Sequence, residues 1–152
     1  MRLATLLCAA ILLPLAACAT TPGVQPRTLA GTDWRLVELG GRAVADTGAV
    51  GGGIGSAPFL RFEGDSGRAG GATGCNRFGG PYTRDGDSLR FGALVATRAA
   101  CMDPARQARE GDFLRALEAT RRHAVTGDTL ALYADGDAPL ARFVASGAAT
   151  TP

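Results

Sequence analysis

Two stretches of this chain break an alternating run with a glycine beside an aspartate, and that pattern restricts the fold more than any other feature. In Tyr82–Phe91 (YTRDGDSLRF) the turn lies at Asp85-Gly86, and in Val125–Tyr133 (VTGDTLALY) at Gly127-Asp128. Glycine takes the positive φ that a tight turn demands, so each stretch reads as an antiparallel hairpin. A third turn around Asp135-Gly136 leads into Pro139–Val144 (PLARFV). Upstream, Asp33–Leu39 (DWRLVEL) alternates, with Trp34 and Leu36 on one side and Arg35 and Val37 on the other. Gly40-Gly41 turns the chain toward Ala43-Val44, Pro58–Phe62 (PFLRF) resumes a strand, and Arg68–Gly74 is a further strand weakened by its glycines. Asp85, Asp87, Asp135 and Asp137 all sit beside these turns, which explains them without a catalytic carboxylate pair.

Only one segment has helical spacing. Asp103-Pro104 pairs an N-cap with a proline suited to the first helical position. Phe113, Leu114, Leu117 and Thr120 then share one side, and the helix is expected to stop near Arg121-Arg122. Gly111 costs about 1 kcal/mol relative to alanine, so a kink or a delayed start is expected there. Many strands, one helix and no βαβ alternation imply an antiparallel α+β domain.

The N-terminus carries different information. Arg2 precedes an apolar run from Leu3, too short to span a bilayer comfortably, which ends in Leu15-Ala16-Ala17-Cys18. A basic start, a short apolar core and small residues make a secretory signal. Leucine, two alanines and a cysteine in that order resemble the lipobox of bacterial lipoproteins. The resemblance implies cleavage before Cys18 and a diacylglycerol thioether on its sulfur. A plain signal peptidase site after Ala17 or Ala19 is the alternative. On the lipobox reading, residues 1–17 are the signal, 18–28 a Thr/Pro/Gly-rich tether, 29–146 the domain and 147–152 a loose tail. Ala19, where aspartate would resemble an inner-membrane retention signal, leans toward the outer membrane. The expected location is thus the cell envelope, facing the periplasm.

Cleavage leaves 135 of the 152 residues, enough for one small core. With Arg2 removed, the 16 basic and 14 acidic residues leave a surplus of one positive charge, and nothing calls for nucleic acid as a partner. Every basic residue is arginine. The absence of lysine excludes a Walker-type phosphate loop, Schiff-base chemistry and Ser-Lys catalysis. Of four cysteines, Cys8 leaves with the signal and Cys18 takes the anchor, so Cys75 and Cys101 remain in an oxidising compartment. A bridge between them closes a loop of about 27 residues, worth roughly 3 to 4 kcal/mol by chain entropy. Two reduced buried thiols, or a redox-active or lipid-modified pair, are the alternatives; no C-x-x-C favours redox work.

Gly74–Tyr82 (GCNRFGGPY) precedes the first hairpin, and Leu94–Asp103 (LVATRAACMD) follows some twenty residues later. With the opening Leu29–Leu36 (LAGTDWRL) and the closing Leu140–Phe143 (LARF), this order of landmarks resembles the META domain, the HslJ-like heat-shock lipoprotein family, over Leu29–Val144. The resemblance implies a small antiparallel β-barrel, open or cracked, with one packed α-helix, akin to the pilotin lipoproteins of secretion systems. It implies an envelope lipoprotein with a binding, accessory or stress-related role. It implies no enzymatic activity and no cofactor. The expected partners are the membrane, through the anchor, and an unnamed envelope protein, with the domain itself monomeric. The chain departs from the family at Gly48–Gly55, which reads as an enlarged loop.

Asn76, Arg77, Phe78 and Arg98 form the candidate partner or ligand surface. The structural account has Asn76 capping a bend and Arg77 laying its stem along the sheet. His123, the only histidine, would have to meet Cys75 or Cys101 for a Cys-His nucleophile, and a zinc site from Cys75, Cys101, Asp103 and His123 lacks close ligand pairs. Gly51–Ser56 (GGGIGS) matches a phosphate loop only in composition. Trp34, Phe59, Leu60, Phe62, Phe91, Leu130 and Leu132 would either fill a core or line a cavity for an apolar ligand.

Overall fold

The computed structural model describes residues 27–45, 51, 55–64 and 66–146. The signal, Cys18, most of the tether, most of the glycine-rich Gly48–Gly55 and the C-terminal tail lie outside the described residues. In chain order the elements are β1 (Asp33–Leu39), β2 (Arg42–Ala43), β3 (Phe59–Glu63), β4 (Arg68–Ala72), β5 (Arg77–Asp85), β6 (Ser88–Phe91), β7 (Val95–Ala96), α1 (Pro104–Ala119), β8 (Arg122–Thr126), β9 (Thr129–Tyr133) and β10 (Pro139–Ser146).

Eight strands form a ring in the order β10-β9-β8-β6-β5-β4-β3-β1, and β1 pairs back onto β10. The barrel is therefore closed, which corrects the open or cracked form that the family resemblance implied. Two junctions seal it, and they differ greatly in strength. β1 and β10 pair antiparallel from Asp33↔Ser146 to Leu39↔Ala141, with one irregularity between Leu36 and Glu38. β6 and β8 share a single register pair, Ser88↔Arg122. There the Leu89 N–H donates to the Arg121 carbonyl at 2.9 Å and the His123 N–H to the Asp87 carbonyl at 2.8 Å.

Both hairpins form, but the first turn sits on Gly86-Asp87, one residue later than the expected Asp85-Gly86, because Asp85 pairs with Ser88 across it. Gly86 and Gly127 hold φ of 57° and 56°, and no other residue type in the described chain has positive φ. Glycine stands first of the two turn residues in Gly86-Asp87 and in Gly127-Asp128, the arrangement of a type II′ turn. Gly71 is needed for a different reason. A Cβ on it would stand 2.0 Å from the Phe59 carbonyl oxygen and 3.0 Å from the Phe78 ring, so the sheet can bend tightly across β3, β4 and β5 only without a side chain there.

The alternation read from β1 is correct: Trp34 and Leu36 are fully buried while Arg35 and Val37 are half-buried. Helix α1 starts where expected, with the Asp103 carboxylate accepting from the Ala105 N–H at 2.9 Å. It runs unbroken through Gly111 and ends at Ala119, where Thr120 caps it and donates its hydroxyl to the Ala116 carbonyl. Phe113 inserts between Phe78 and Phe143, with ring centroids 5.6 and 5.9 Å away, so the helix completes the core instead of covering a gap.

One rim of the barrel carries the β5–β6 and β8–β9 turns and the Gly64–Gly67 bend. Residues 27–32 cross it as a strap. Arg27 donates its backbone N–H to Gly127, Ala30 bridges to Phe62, and Leu29 is buried with its carbonyl accepting from the Trp34 indole at 2.9 Å. The opposite rim carries the β1–β2 turn, the Thr73–Asn76 bend and α1.

Candidate functional site

At the helix-bearing rim a buried polar knot gathers the residues that carried the resemblance. The Thr73 hydroxyl accepts from the Asn76 N–H at 2.9 Å and donates to a Glu110 carboxylate oxygen at 2.5 Å, closing the bend between β4 and β5. The Asn76 amide then joins three parts of the chain. Its Oδ1 accepts from the Thr97 hydroxyl at 2.8 Å and the Ala99 N–H at 2.7 Å. Its Nδ2 lies 3.1 Å from each Glu110 oxygen and 3.3 Å from the Ala99 carbonyl. Directly beside it, Cys75 and Cys101 form a disulfide with a Cα–Cα distance of 5.7 Å. Bend and connecting loop are thus fastened together twice, once covalently and once by the Asn76 amide, which also ties in the helix through Glu110.

The four residues expected to form one surface are divided by this arrangement. Asn76 and Phe78 are 5% and 6% exposed, and Phe78 meets Phe113 edge-on. Arg77 and Arg98 are exposed. A surface made of all four does not form, because two of them are spent on the interior. Thr73, Thr97 and Glu110 belong to the knot and were not singled out from sequence. Thr73 had a readable signal, a threonine three residues ahead of an asparagine across a glycine, as bends of this kind use. Glu110 had none, since it lies 34 residues from Asn76 on a helix face that looks solvated.

His123 does not approach the cysteines. It stands at the β6–β8 junction, where its Nδ1 lies 2.9 Å from the Asp87 carbonyl and so carries the proton when the ring is neutral. Burial depresses its pKa below the usual 6.5; the Asp87 carbonyl opposes this and the Arg84 charge adds to it. The ring borders a groove of about 760 Å³ at the strap-bearing rim, together with Tyr82, Arg84 and Leu29. A second groove, about 640 Å³, runs between α1 and the β1–β2 turn. Among the described residues no group of three or more His, Cys, Asp or Glu side chains could hold a metal ion. Of the seven residues weighed as the lining of a ligand cavity, all but Phe59 are buried and packed in one core. Phe62, for example, meets Tyr82 edge-on and Phe91 at a tilt, with centroids 5.0 and 5.9 Å away.

The family model of the META domain matches residues 27–147. Two solved structures are similar. An NMR structure of a protein from Burkholderia xenovorans is 30% identical, with 90% of this chain and 99% of that one covered at a TM-score of 0.58. A second NMR structure is 20% identical, with 76% and 91% covered, also at 0.58. No curated protein matches.

Proposed function

Because the chain belongs to the META domain family, we propose that it is a non-enzymatic lipoprotein of the bacterial cell envelope, moored through Cys18 and acting as a binding or accessory module under envelope stress. One observation carries this reading: the segments that mark the family are committed to each other. Asn76 bonds Thr97, Ala99 and Glu110, and Cys75 bonds Cys101, so these residues are engaged in holding one corner of the barrel, which supports a structural role for them. The thiol-dependent alternative loses its nucleophile while the disulfide is closed. The carrier alternative is weakened by a barrel interior filled with side chains, since Trp34, Leu60, Leu130 and Leu132 are fully buried. What remains for binding is the exterior.

The anchor suits that role. Cys18 precedes Arg27, at the strap-bearing rim, by few enough residues that an extended leash reaches about 30 Å. Two or three acyl chains, each contributing about 0.8 kcal/mol per buried CH₂, hold such a leash at a membrane. Metabolic labelling with radioactive palmitate tests the mooring. The wild-type protein takes up label, and Cys18→Ala neither takes it up nor stays with the membrane fraction. An unlabelled wild type, or a Cys18→Ala protein processed like its parent, removes the anchor from the reading.

A further inference from the structure

We propose that the groove between α1 and the β1–β2 turn docks a segment of another protein that bears carboxylates spaced among small or apolar residues. The floor is apolar, with Leu39, Val44 and Leu140 on the sheet side and Ala105, Ala108 and Ala119 along one helix face. Ala105 and Ala108 are exposed, and side chains this short let a second backbone come close along the helix. The walls are basic. Arg42 and Arg115 line the groove against one carboxylate, Asp112, while Arg109, also in the lining, already has a partner of its own. Arg42 is exposed and makes no ion pair among the described residues. Arg115 pairs with Asp112, but the two side chains are 71% and 57% exposed, so this contact exchanges readily for a partner's carboxylate.

The charge distribution separates this groove from the other one. At the strap-bearing rim Arg27 and Arg84 are accompanied by Asp87, and the neighbouring turns add Glu63, Asp85 and Asp128, with Arg27 bonded to Asp128 at 2.7 Å. That rim has no basic surplus to select an acidic ligand. The helix groove has one beside an apolar floor, and complementary charge fixes partner choice and register more than it fixes affinity. Its guanidinium groups also suit carboxylates geometrically, because each offers a planar fork of donors.

The test uses the full-length chain in its own cells, with a photo-crosslinking residue at Ala119 and, as a control, at Val95, which is 75% exposed on β7. The expected adduct forms from position 119 and not from 95, and the captured peptide, once sequenced, carries several Asp or Glu side chains among apolar ones. Arg42→Glu with Arg115→Glu lowers its yield about tenfold, as reversing two exposed charges should, and raised salt does likewise. If that pair of substitutions disturbs the thermal melt, Ala108→Trp replaces it, filling the groove without altering charge and abolishing the same adduct. Equal adducts from both positions, a captured peptide without carboxylates, a second copy of this chain, a lipid, the chain's own residues 46–54, or no adduct at all each overturns the proposal. The inference rests on the binding role proposed above but not on the anchor: position 119 reads the groove wherever the chain resides, and palmitate reads the anchor alone.

Discussion

Replacing Asn76 with aspartate exchanges one NH₂ group for one oxygen and keeps the shape, so it probes the polar knot with little steric disturbance. The acceptor half of the side chain survives and still receives the Thr97 hydroxyl and the Ala99 N–H. The donor half becomes a second carboxylate where Nδ2 now stands 3.1 Å from both Glu110 oxygens. Two unit charges at that spacing repel by about 5 kcal/mol at an effective dielectric of 20. The pair avoids part of this by sharing a proton, and protonating a carboxyl of ordinary pKa at pH 7 costs about 3.7 kcal/mol. The shared proton restores one hydrogen bond, worth about 1 kcal/mol. The expected loss is therefore about 3 kcal/mol at pH 7. The folded variant binds a proton that its unfolded chain lacks, so the deficit shrinks as pH falls, by about 1.4 kcal/mol per unit until the unfolded carboxyls also protonate. Urea unfolding at pH 7 and pH 5 measures both quantities. Asn76→Asp with Glu110→Gln places an amide opposite a carboxylate again and should recover more than half the loss. A deficit below 1 kcal/mol, a deficit equal at the two pH values, or a double variant no better than the single one would refute the assignment of Asn76 and Glu110 as partners.

Two further outcomes are expected. Cys75→Ser with Cys101→Ser opens a link spanning 26 residues and should lower unfolding free energy by about 3.5 kcal/mol, with reduced wild type matching the variant; near-identical denaturation midpoints for oxidised and reduced protein would contradict this. His123 has a folded pKa held below 6.5, so its contribution is present above that value and is lost as pH falls through the lowered one. His123→Asn, which retains a donor for the Asp87 carbonyl, should flatten the decline in stability between pH 7 and pH 5, and an unchanged slope would count against it.

What could be read from sequence was local, and what could not was distant. The turns at Gly86 and Gly127 and the cap at Asp103 each act within a few residues, so the chemistry of one residue type announces them. Strand β1 was legible because Trp34 and Leu36 occupy one side of a period of two. Barrel closure was not, because the β6–β8 junction depends on a pairing between Ser88 and Arg122, residues with ordinary strand neighbours and an entire helix between them. The knot was half legible. Asn76 was weighed as a bend former, which is part of its role, yet its contact with Glu110 depends on where α1 lands. Phe78 is one of the four residues expected at a partner or ligand surface. Its ring faces inward to Phe113, which only the packing of the helix decides.

The pairing of β1 with β10 also governs how the molecule comes into being. Its first long strand has as its principal neighbour the last, so a chain that emerges from its N-terminus holds Trp34 and Leu36 without their cover until Phe143 has appeared. Local hairpins such as Tyr82–Phe91 can condense early, but the ring stays unsealed to the end. The seal waits for β10, and circular order imposes that delay without any added device.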